Sequence, residues 1–185
     1  GKIRYNGFND YRGGGHFSGR ITAPLVFAGA ICKQILEAKG IKIVSHIKSI
    51  GTIEDKSFLD EEITEEFINS YMSKELPLID ESKEEAMRKE ILLAKEELDS
   101  IGGTVECAVV GIEPGIGNPF FDSVESTLAH LMFSIPAVKG IEFGRGSELS
   151  QMRGSEANDA MYFAGEKVLT KTNNNGGILG YASNI

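Results

Sequence analysis

The stretch RGGGHFSGRITAPLVFAGAICKQILEAKG, residues 12–40, joins a glycine-rich turn to a long apolar run. Within residues 21–38 the polar side chains group on one side, which predicts a helix buried over most of its circumference. Pro24 falls in the first turn, where a missing N–H does little harm, and Gly40 is a typical helix stop. The glycine turn should therefore lead directly into a helix N-terminus.

The rest of the chain predicts further helices and strands. Strands are predicted at residues 41–50, 104–112 and 138–143, from β-branched content and partial alternation of polar and apolar residues. Polar and apolar patterning predicts helices at residues 61–73, 82–100 and 122–133. Ser82 and Glu85 form a capping-box pattern for the helix at 82–100, and Gly102 and Gly103 should end it. Residues 144–165 show no clear period and predict a long loop.

Composition and charge limit the functions that the chain can have. With 185 residues, 41% hydrophobic and 25% charged, it fits a soluble globular protein with no membrane span. A net charge of −8 argues against coating nucleic acid. Cys32 and Cys107 lie among apolar neighbours, so we interpret them as reduced core residues of a cytoplasmic protein.

The acidic charge is concentrated in one block, residues 54–99. This block holds 16 of the 27 acidic residues and 6 of the 19 basic ones. We predict a single domain over 1–185 in which 54–99 is an acidic helical insertion. The charges of the insertion either form a solvated helical face or lie beside a site for anions.

Two glycine clusters could hold a ligand. In residues 13–20 backbone N–H groups can converge on a phosphate at the helix N-terminus, with Ser18 and Arg20 adding side-chain contacts. The alternative is a tight turn in which Ser18 caps the helix. In residues 172–180 asparagines could bind the edge of a flavin or a base, but a plain turn would look similar.

The remaining polar residues give weaker signals. Arg153 stands with Glu156 and Asp159, and the three could bind a polar ligand or pair with one another. The histidines are far apart in sequence and have no carboxylate at ligand spacing, so no metal site is predicted. His16 lies in the first glycine turn, His46 in a strand and His130 on a helix, which makes the last two structural or exposed. Common hydrolase, zinc and redox signatures are absent, and we assign no catalytic residue.

Seven motifs, taken in order, resemble the chorismate synthase family. They stand at residues 12–20, 28–31, 102–107, 117–122, 134–140, 152–156 and 172–180. The resemblance covers nearly the whole chain except the acidic block. It implies an α+β fold, a layered sandwich of antiparallel sheet and helices, assembled as a homotetramer.

The resemblance also implies an activity. Members of the family are lyases that convert 5-enolpyruvylshikimate 3-phosphate to chorismate and phosphate by a 1,4-elimination, in the shikimate pathway of aromatic amino acid biosynthesis. They are flavoproteins that need reduced FMN although no net redox change occurs. The expected partners are therefore FMN, a small phosphorylated substrate and further copies of the chain, with neither nucleic acid nor membrane.

Family positions carry over to residues of this chain one by one. The flavin contacts correspond to His16, Phe17, Ser18, Pro136, Ala137 and Gly180. Ser18 and Arg20 match positions close to the flavin or the substrate phosphate. His16 stands where the family often has arginine, and a histidine is the weaker phosphate anchor at neutral pH.

The two ends depart from the family pattern. Family members are longer and carry active-site segments on both sides of the part that matches here, and Tyr181 and Ile185 replace usual glycines. We therefore expect this polypeptide alone to have little or no synthase activity. The alternatives are a non-catalytic FMN-binding or oligomerisation core, and an unrelated nucleotide-binding module that prefers adenine nucleotides.

Overall fold

The computed structural model describes residues 1–71, 74–180 and 182–183. The described α-helices are α1 Thr22–Glu37, α2 Glu65–Tyr71, α3 Glu84–Glu96, α4 Val124–Met132 and α5 Gly154–Ala157. The described strands are β1 Lys42–Ile50, β2 Ile53–Glu54, β3 Gly103–Val110, β4 Met161–Ala164, β5 Lys167–Thr170, β6 Ile178–Leu179 and β7 Ala182–Ser183. Tyr181 and Ile185 lie outside the described residues. Within those ranges, no helix has the length and apolar character needed to cross a membrane.

The largest sheet has the strand order β2-β1-β3 and is antiparallel throughout. β1 and β3 pair from Lys42 opposite Val110 to Ile50 opposite Gly103, with an irregularity between Ile47 and Ser49. Two antiparallel hairpins follow, β4 with β5 and β6 with β7. The prediction of an α+β fold with antiparallel sheet is confirmed.

Helix α1 forms where the sequence predicts it, but its environment differs. Gly40 has a φ of +81° and its N–H donates to the carbonyl oxygen of Glu37, which ends the helix as predicted. No residue of α1 is buried, so the prediction of a helix buried over most of its circumference is wrong. Cys32 and Cys107 are both exposed, which also corrects their interpretation as core residues. The helix contacts β1, while most of its apolar surface faces away from the described chain.

The acidic block supplies most of the core. The buried apolar side chains of the described residues are Val44, Phe58, Ile68, Leu78 and Met87. All of them except Val44 belong to residues 54–99. The block is therefore more than a solvated face. Its Phe58 and Ile68 pack with Val44 of the large sheet, and most of its acidic residues are exposed while Asp55 is buried.

A buried histidine joins the block to the sheet. His46 on β1 is 1% exposed. Its Nδ1 lies 3.1 Å from Oδ2 of Asp55 and its Nε2 lies 2.7 Å from Oε2 of Glu106 on β3. Both nitrogens can donate to these carboxylates at once only when the ring carries its second proton. The sequence prediction of a structural His46 is confirmed, but sequence spacing missed both carboxylates because the fold brings them from 9 and 60 residues away.

The two carboxylates are also held by other donors. Asp55 accepts hydrogen bonds from the N–H groups of Ile79 and Asp80 at 2.6 and 2.8 Å. Glu106 accepts the hydroxyl of Ser57 at 2.6 Å and the N–H of Phe58 at 2.9 Å. Burial alone would raise the pKa of Glu106, but the hydrogen bonds from His46, Ser57 and Phe58 hold it below its ordinary value.

Four local predictions are wrong in detail. Helix α3 is preceded by a 3-10 turn that Asp80 caps, through its side chain and the N–H of Ser82, so the predicted capping box does not form. Leu98, with a φ of +57°, ends that helix before the predicted glycines are reached. Residues 138–143 form no strand, because no described segment pairs with them. Residues 144–165 are not one long loop, since they contain α5 and β4.

Replacing His46 with glutamine should destabilise the fold strongly. His46→Gln leaves two buried or half-buried carboxylates without the ring that both of them contact, and we expect the free energy of unfolding to fall by about 3–5 kcal/mol. Guanidinium denaturation followed by far-UV circular dichroism measures this change. His130→Gln is the matched control, because His130 is exposed on α4 and should change stability by less than about 0.5 kcal/mol. Equal effects of the two substitutions would contradict the prediction.

Candidate functional site

The first glycine turn redirects the chain just before α1. Gly13 and Gly15 have φ values of +116° and +53°, in the left-handed region that favours glycine. A Cβ at either position would meet no described atom within 4 Å. Two 3-10 turns, Gly15–Phe17 and Gly19–Ile21, then carry the chain into α1. The turn thus leaves backbone uncovered beside a helix N-terminus, as the sequence predicts.

Ser18 and Arg20 lie between this turn and α1. The Ser18 Oγ accepts a hydrogen bond from the N–H of Arg20 at 3.4 Å. This is the capping alternative, although Ser18 caps the 3-10 turn and not α1 itself. Among the described residues no group pairs with the exposed guanidinium of Arg20 or accepts the Ser18 hydroxyl proton. Both groups are free to bind an anion, and their phosphate role stays a prediction.

His16 and Phe17 form an exposed aromatic group with Tyr5. The Tyr5 hydroxyl lies 2.9 Å from Nε2 of His16, and the two rings meet edge to face with centroids 5.6 Å apart. The rings of His16 and Phe17 have centroids 4.4 Å apart. Phe17 is 59% exposed, and such exposed rings offer a flat apolar surface for another ring to stack on.

Pro136 and Ala137 lie in the turn that follows α4. Ala137 has a φ of +70°, a conformation that costs a residue with a Cβ roughly 1–2 kcal/mol. Backbone strain of this kind occurs preferentially at functional sites. Both residues are exposed. Their predicted flavin contact stays a prediction, and the strained backbone at Ala137 is in line with it.

The asparagine-rich turn, residues 172–180, is organised by Asp159. The carboxylate accepts hydrogen bonds from the hydroxyl of Thr172 and the N–H of Asn174, each at 2.7 Å. It also accepts the N–H of Asn175 at 2.9 Å and the side-chain amide of Asn175 at 2.8 Å. Asp159 therefore does not pair with Arg153 or Glu156: its partners among the described residues all lie in the asparagine-rich turn, whereas Glu156 accepts the N–H of Arg153.

These hydrogen bonds keep Asp159 ionised. Burial alone would raise the pKa of Asp159, but the hydrogen bonds from Thr172, Asn174 and Asn175 hold it below its ordinary value. A carboxylate whose pKa is lowered by folding stabilises the native state above the unfolded pKa. That stabilisation is present at neutral pH and is lost only as the pH falls below about 4.

Arg145 holds the asparagine-rich turn from the opposite side. Its N–H donates to the carbonyl oxygen of Asn174 and its Nε donates to the Asn174 side-chain oxygen, both at 2.8 Å. The backbones meet closely here, since a Cβ on Gly144 would collide with the carbonyl oxygen of Asn174. Gly144 also has a φ of +57°. Only glycine fits this crossing.

No hydrogen bond or ion pair among the described residues joins the three segments that hold the predicted flavin contacts, although the hairpin of Gly180 meets another loop. Ser183 exchanges backbone hydrogen bonds with Gly115 and Ile116, so the loop before α4 lies beside the hairpin that carries Gly180. No hydrogen bond or ion pair within residues 1–71, 74–180 and 182–183 joins the first glycine turn to Ala137 or to Gly180. Tyr5 and Arg145 are contacts that sequence reasoning missed, because nothing in their spacing from His16 or Asn174 signals an interaction.

Comparison with known proteins identifies the class of this α+β fold. A solved structure titled "Crystal Structure of Chorismate Synthase" superposes with a TM-score of 0.84 at 32% identity, over 99% of this chain and 57% of that one. The family model for chorismate synthase matches residues 1–184. The chain belongs to the chorismate synthase family.

Curated relatives agree with this assignment. The chorismate synthase of Pyrococcus abyssi is 49% identical over 180 residues, which is 97% of this chain and 48% of the relative. That of Thermococcus kodakarensis is 45% identical over 178 residues, with 96% and 48% covered. The chain therefore spans about half the length of the curated relatives that it matches.

Substitution of Gly144 should test the backbone crossing. Gly144→Ala places a Cβ against Asn174 in a conformation that L-residues avoid, and we expect a loss of about 2–4 kcal/mol in the free energy of unfolding. Chemical denaturation of the full chain measures it. The matched control is Gly154→Ala in α5, where a Cβ meets no described atom within 4 Å and stability should hold or rise slightly. If both variants unfold at the same denaturant concentration, the crossing does not constrain the turn.

Proposed function

We propose that the protein takes part in the chorismate synthase reaction, the 1,4-elimination of phosphate from 5-enolpyruvylshikimate 3-phosphate to give chorismate. The family match over residues 1–184 and the names of the relatives support this proposal. It makes the protein a lyase of the shikimate pathway, which leads to the aromatic amino acids.

The observation that carries the proposal in this structure is the unpaired Arg20 beside the uncovered first glycine turn. Arg20 shares the lack of an acidic partner among the described residues with Arg4 and Arg153, but differs from them in its position. It stands where α1 begins, and a helix N-terminus favours negative charge. Arg20 and the Ser18 hydroxyl are therefore suited to hold a phosphate group of the substrate or of the cofactor.

The described turns fit a flat cofactor, and we propose FMN. Gly13, Gly15 and Gly180 have positive φ, and open space lies where their Cβ atoms would be, so a planar ring can approach the backbone. We assign the flavin contacts to His16, Phe17, Ser18, Pro136, Ala137 and Gly180. Reduced FMN held by these residues would supply the electron-donating chemistry of the elimination, with no net redox change.

The remaining parts of the proposal concern the whole protein. We propose a homotetramer in the cytoplasm, and a single domain over 1–185 with 54–99 as its acidic insertion. Because the chain spans about half the length of its relatives, we propose that this polypeptide alone has little or no synthase activity.

A non-catalytic core is the second candidate. The apolar side chains of Leu25, Val26, Phe27, Ile31 and Ile35 on α1 are all exposed. An apolar helix surface of this kind is typical of contacts with other protein surfaces. In that case the chain serves only in FMN binding or oligomerisation. The catalytic proposal and the FMN-binding core both predict that this chain binds FMN, whereas the oligomerisation core predicts no FMN binding.

Arg20→Ala should weaken FMN binding by the full chain. Loss of a charge-assisted contact to phosphate should raise the Kd by about tenfold or more. Titration of FMN with protein, followed by flavin fluorescence, measures the Kd. The matched control is Arg88→Ala on α3, which removes the same charge from an arginine already paired with Glu84 and should leave the Kd unchanged.

Other results of this titration separate the alternatives. An Arg20→Ala variant that binds FMN as tightly as the unchanged chain contradicts the phosphate role of Arg20. No quenching at micromolar concentrations of the unchanged chain contradicts the FMN assignment and favours the oligomerisation core. A Kd for ADP that is lower than the Kd for FMN, measured by competition against bound FMN, favours the nucleotide-binding module.

The activity of the chain alone gives a separate test. With anaerobically reduced FMN and 5-enolpyruvylshikimate 3-phosphate, we expect the 185-residue chain to release no phosphate above the protein-free rate. The chorismate synthase of Pyrococcus abyssi is the positive control. Chorismate formation by the chain at the rate of that enzyme would show that the proposed inactivity is wrong.

A further inference from the structure

Asp159 is a buried charge with no part in the function proposed so far. It is 4% exposed, and it lies outside the asparagine-rich turn that its carboxylate holds. Each oxygen accepts two hydrogen bonds from that turn, at distances between 2.7 and 2.9 Å. Burying a carboxylate raises the free energy of the folded state, because the charge loses its hydration and only good hydrogen bonds replace it.

The hydrogen bonds to Asp159 also decide which asparagines can meet a ligand. Asn174 is 4% exposed, and its side-chain amide donates to the carbonyl oxygen of Glu156 at 3.0 Å. The Asn175 amide donates to Asp159 and to the carbonyl oxygen of Ala157 at 3.2 Å. Both side chains are therefore committed to the protein interior. They hold the turn in place, and Gly180 at its end is exposed.

The position of Gly180 follows from these contacts. The carbonyl oxygen of Asn175 accepts the N–H of Ile178 at 3.3 Å, which fixes the start of β6. β6 pairs with β7 through Ile178 opposite Ser183, and Gly180 lies at the bend between these strands. Fixing Asn175 thus fixes the strand that leads into Gly180.

We propose that Asp159 is a positioning residue for the flavin, which it never contacts. The inference rests on the proposed function, since it concerns the turn that ends at Gly180. The carboxylate holds residues 172–175 in one conformation before the cofactor arrives. A turn that is already ordered has less conformational entropy to lose on binding, so the affinity for the cofactor rises. Without the carboxylate, the four N–H and O–H donors of the turn lose this acceptor, and the turn can adopt other conformations.

Asp159→Asn in the full chain tests this role with FMN as the probe. The amide keeps the shape of the side chain but turns one acceptor into a donor that faces Asn175. We expect the Kd for FMN to rise by about tenfold or more, and the visible circular dichroism of the bound flavin to change. The matched control is Glu156→Gln, because among the described residues the Glu156 carboxylate accepts one hydrogen bond, from the N–H of Arg153 at 3.0 Å. That variant should keep both the Kd and the spectrum.

Thr172→Val keeps the test decisive if Asp159→Asn does not fold. It removes one hydrogen bond to Asp159 with little change of shape and should raise the Kd about two- to fivefold. Asp159→Asn or Thr172→Val with the Kd and flavin spectrum of the unchanged chain overturns the inference while the proposed function stands. No FMN binding by the unchanged chain contradicts the FMN assignment, and the inference falls with it.

Discussion

The fold depends on one buried imidazole placed between two carboxylates. The described core has few fully buried apolar side chains, so the contact of His46 with Asp55 and Glu106 is a large part of what joins the acidic block to the sheet. Each carboxylate reaches a different piece of backbone, near residues 79–80 and near residue 58. These contacts fix the position of the acidic block relative to β1 and β3. The block stays attached to the sheet at a defined place although it carries many negative charges.

Local sequence signals predicted elements better than they predicted burial. Periodicity and glycine stops placed α1, β1 and β3 within a residue or two, because these signals act within one or two turns of chain. The prediction that α1 is buried is wrong, because apolar composition shows that a helix surface can be covered but does not show which part of the protein covers it. The cap of α3 differs for a related reason: the Asp80 side chain accepts the N–H of Ser82, which the Glu85 side chain would accept in the predicted capping box.

The candidate site shows the same division. The first glycine turn was predictable because positive φ before a helix requires glycine and leaves backbone open. The role of Asp159 was not, because its partners lie 13 to 16 residues away in a segment where sequence shows only polarity. The asparagines of residues 172–180 were interpreted as groups for a ligand edge. In the structure two of them bind the protein itself, which composition alone cannot reveal.

Arg145 has a further consequence for how the family can vary. Besides Asn174, it meets Asp60 of the acidic block at 3.4 Å, in an ion pair whose aspartate side chain is 61% exposed. An ion pair of this kind contributes at most about 1 kcal/mol and is screened by salt. This ion pair therefore contributes little to how the acidic block holds the asparagine-rich turn. Homologous sequences can therefore lengthen, shorten or recharge the block around Asp60 over evolutionary time while the turn keeps its geometry.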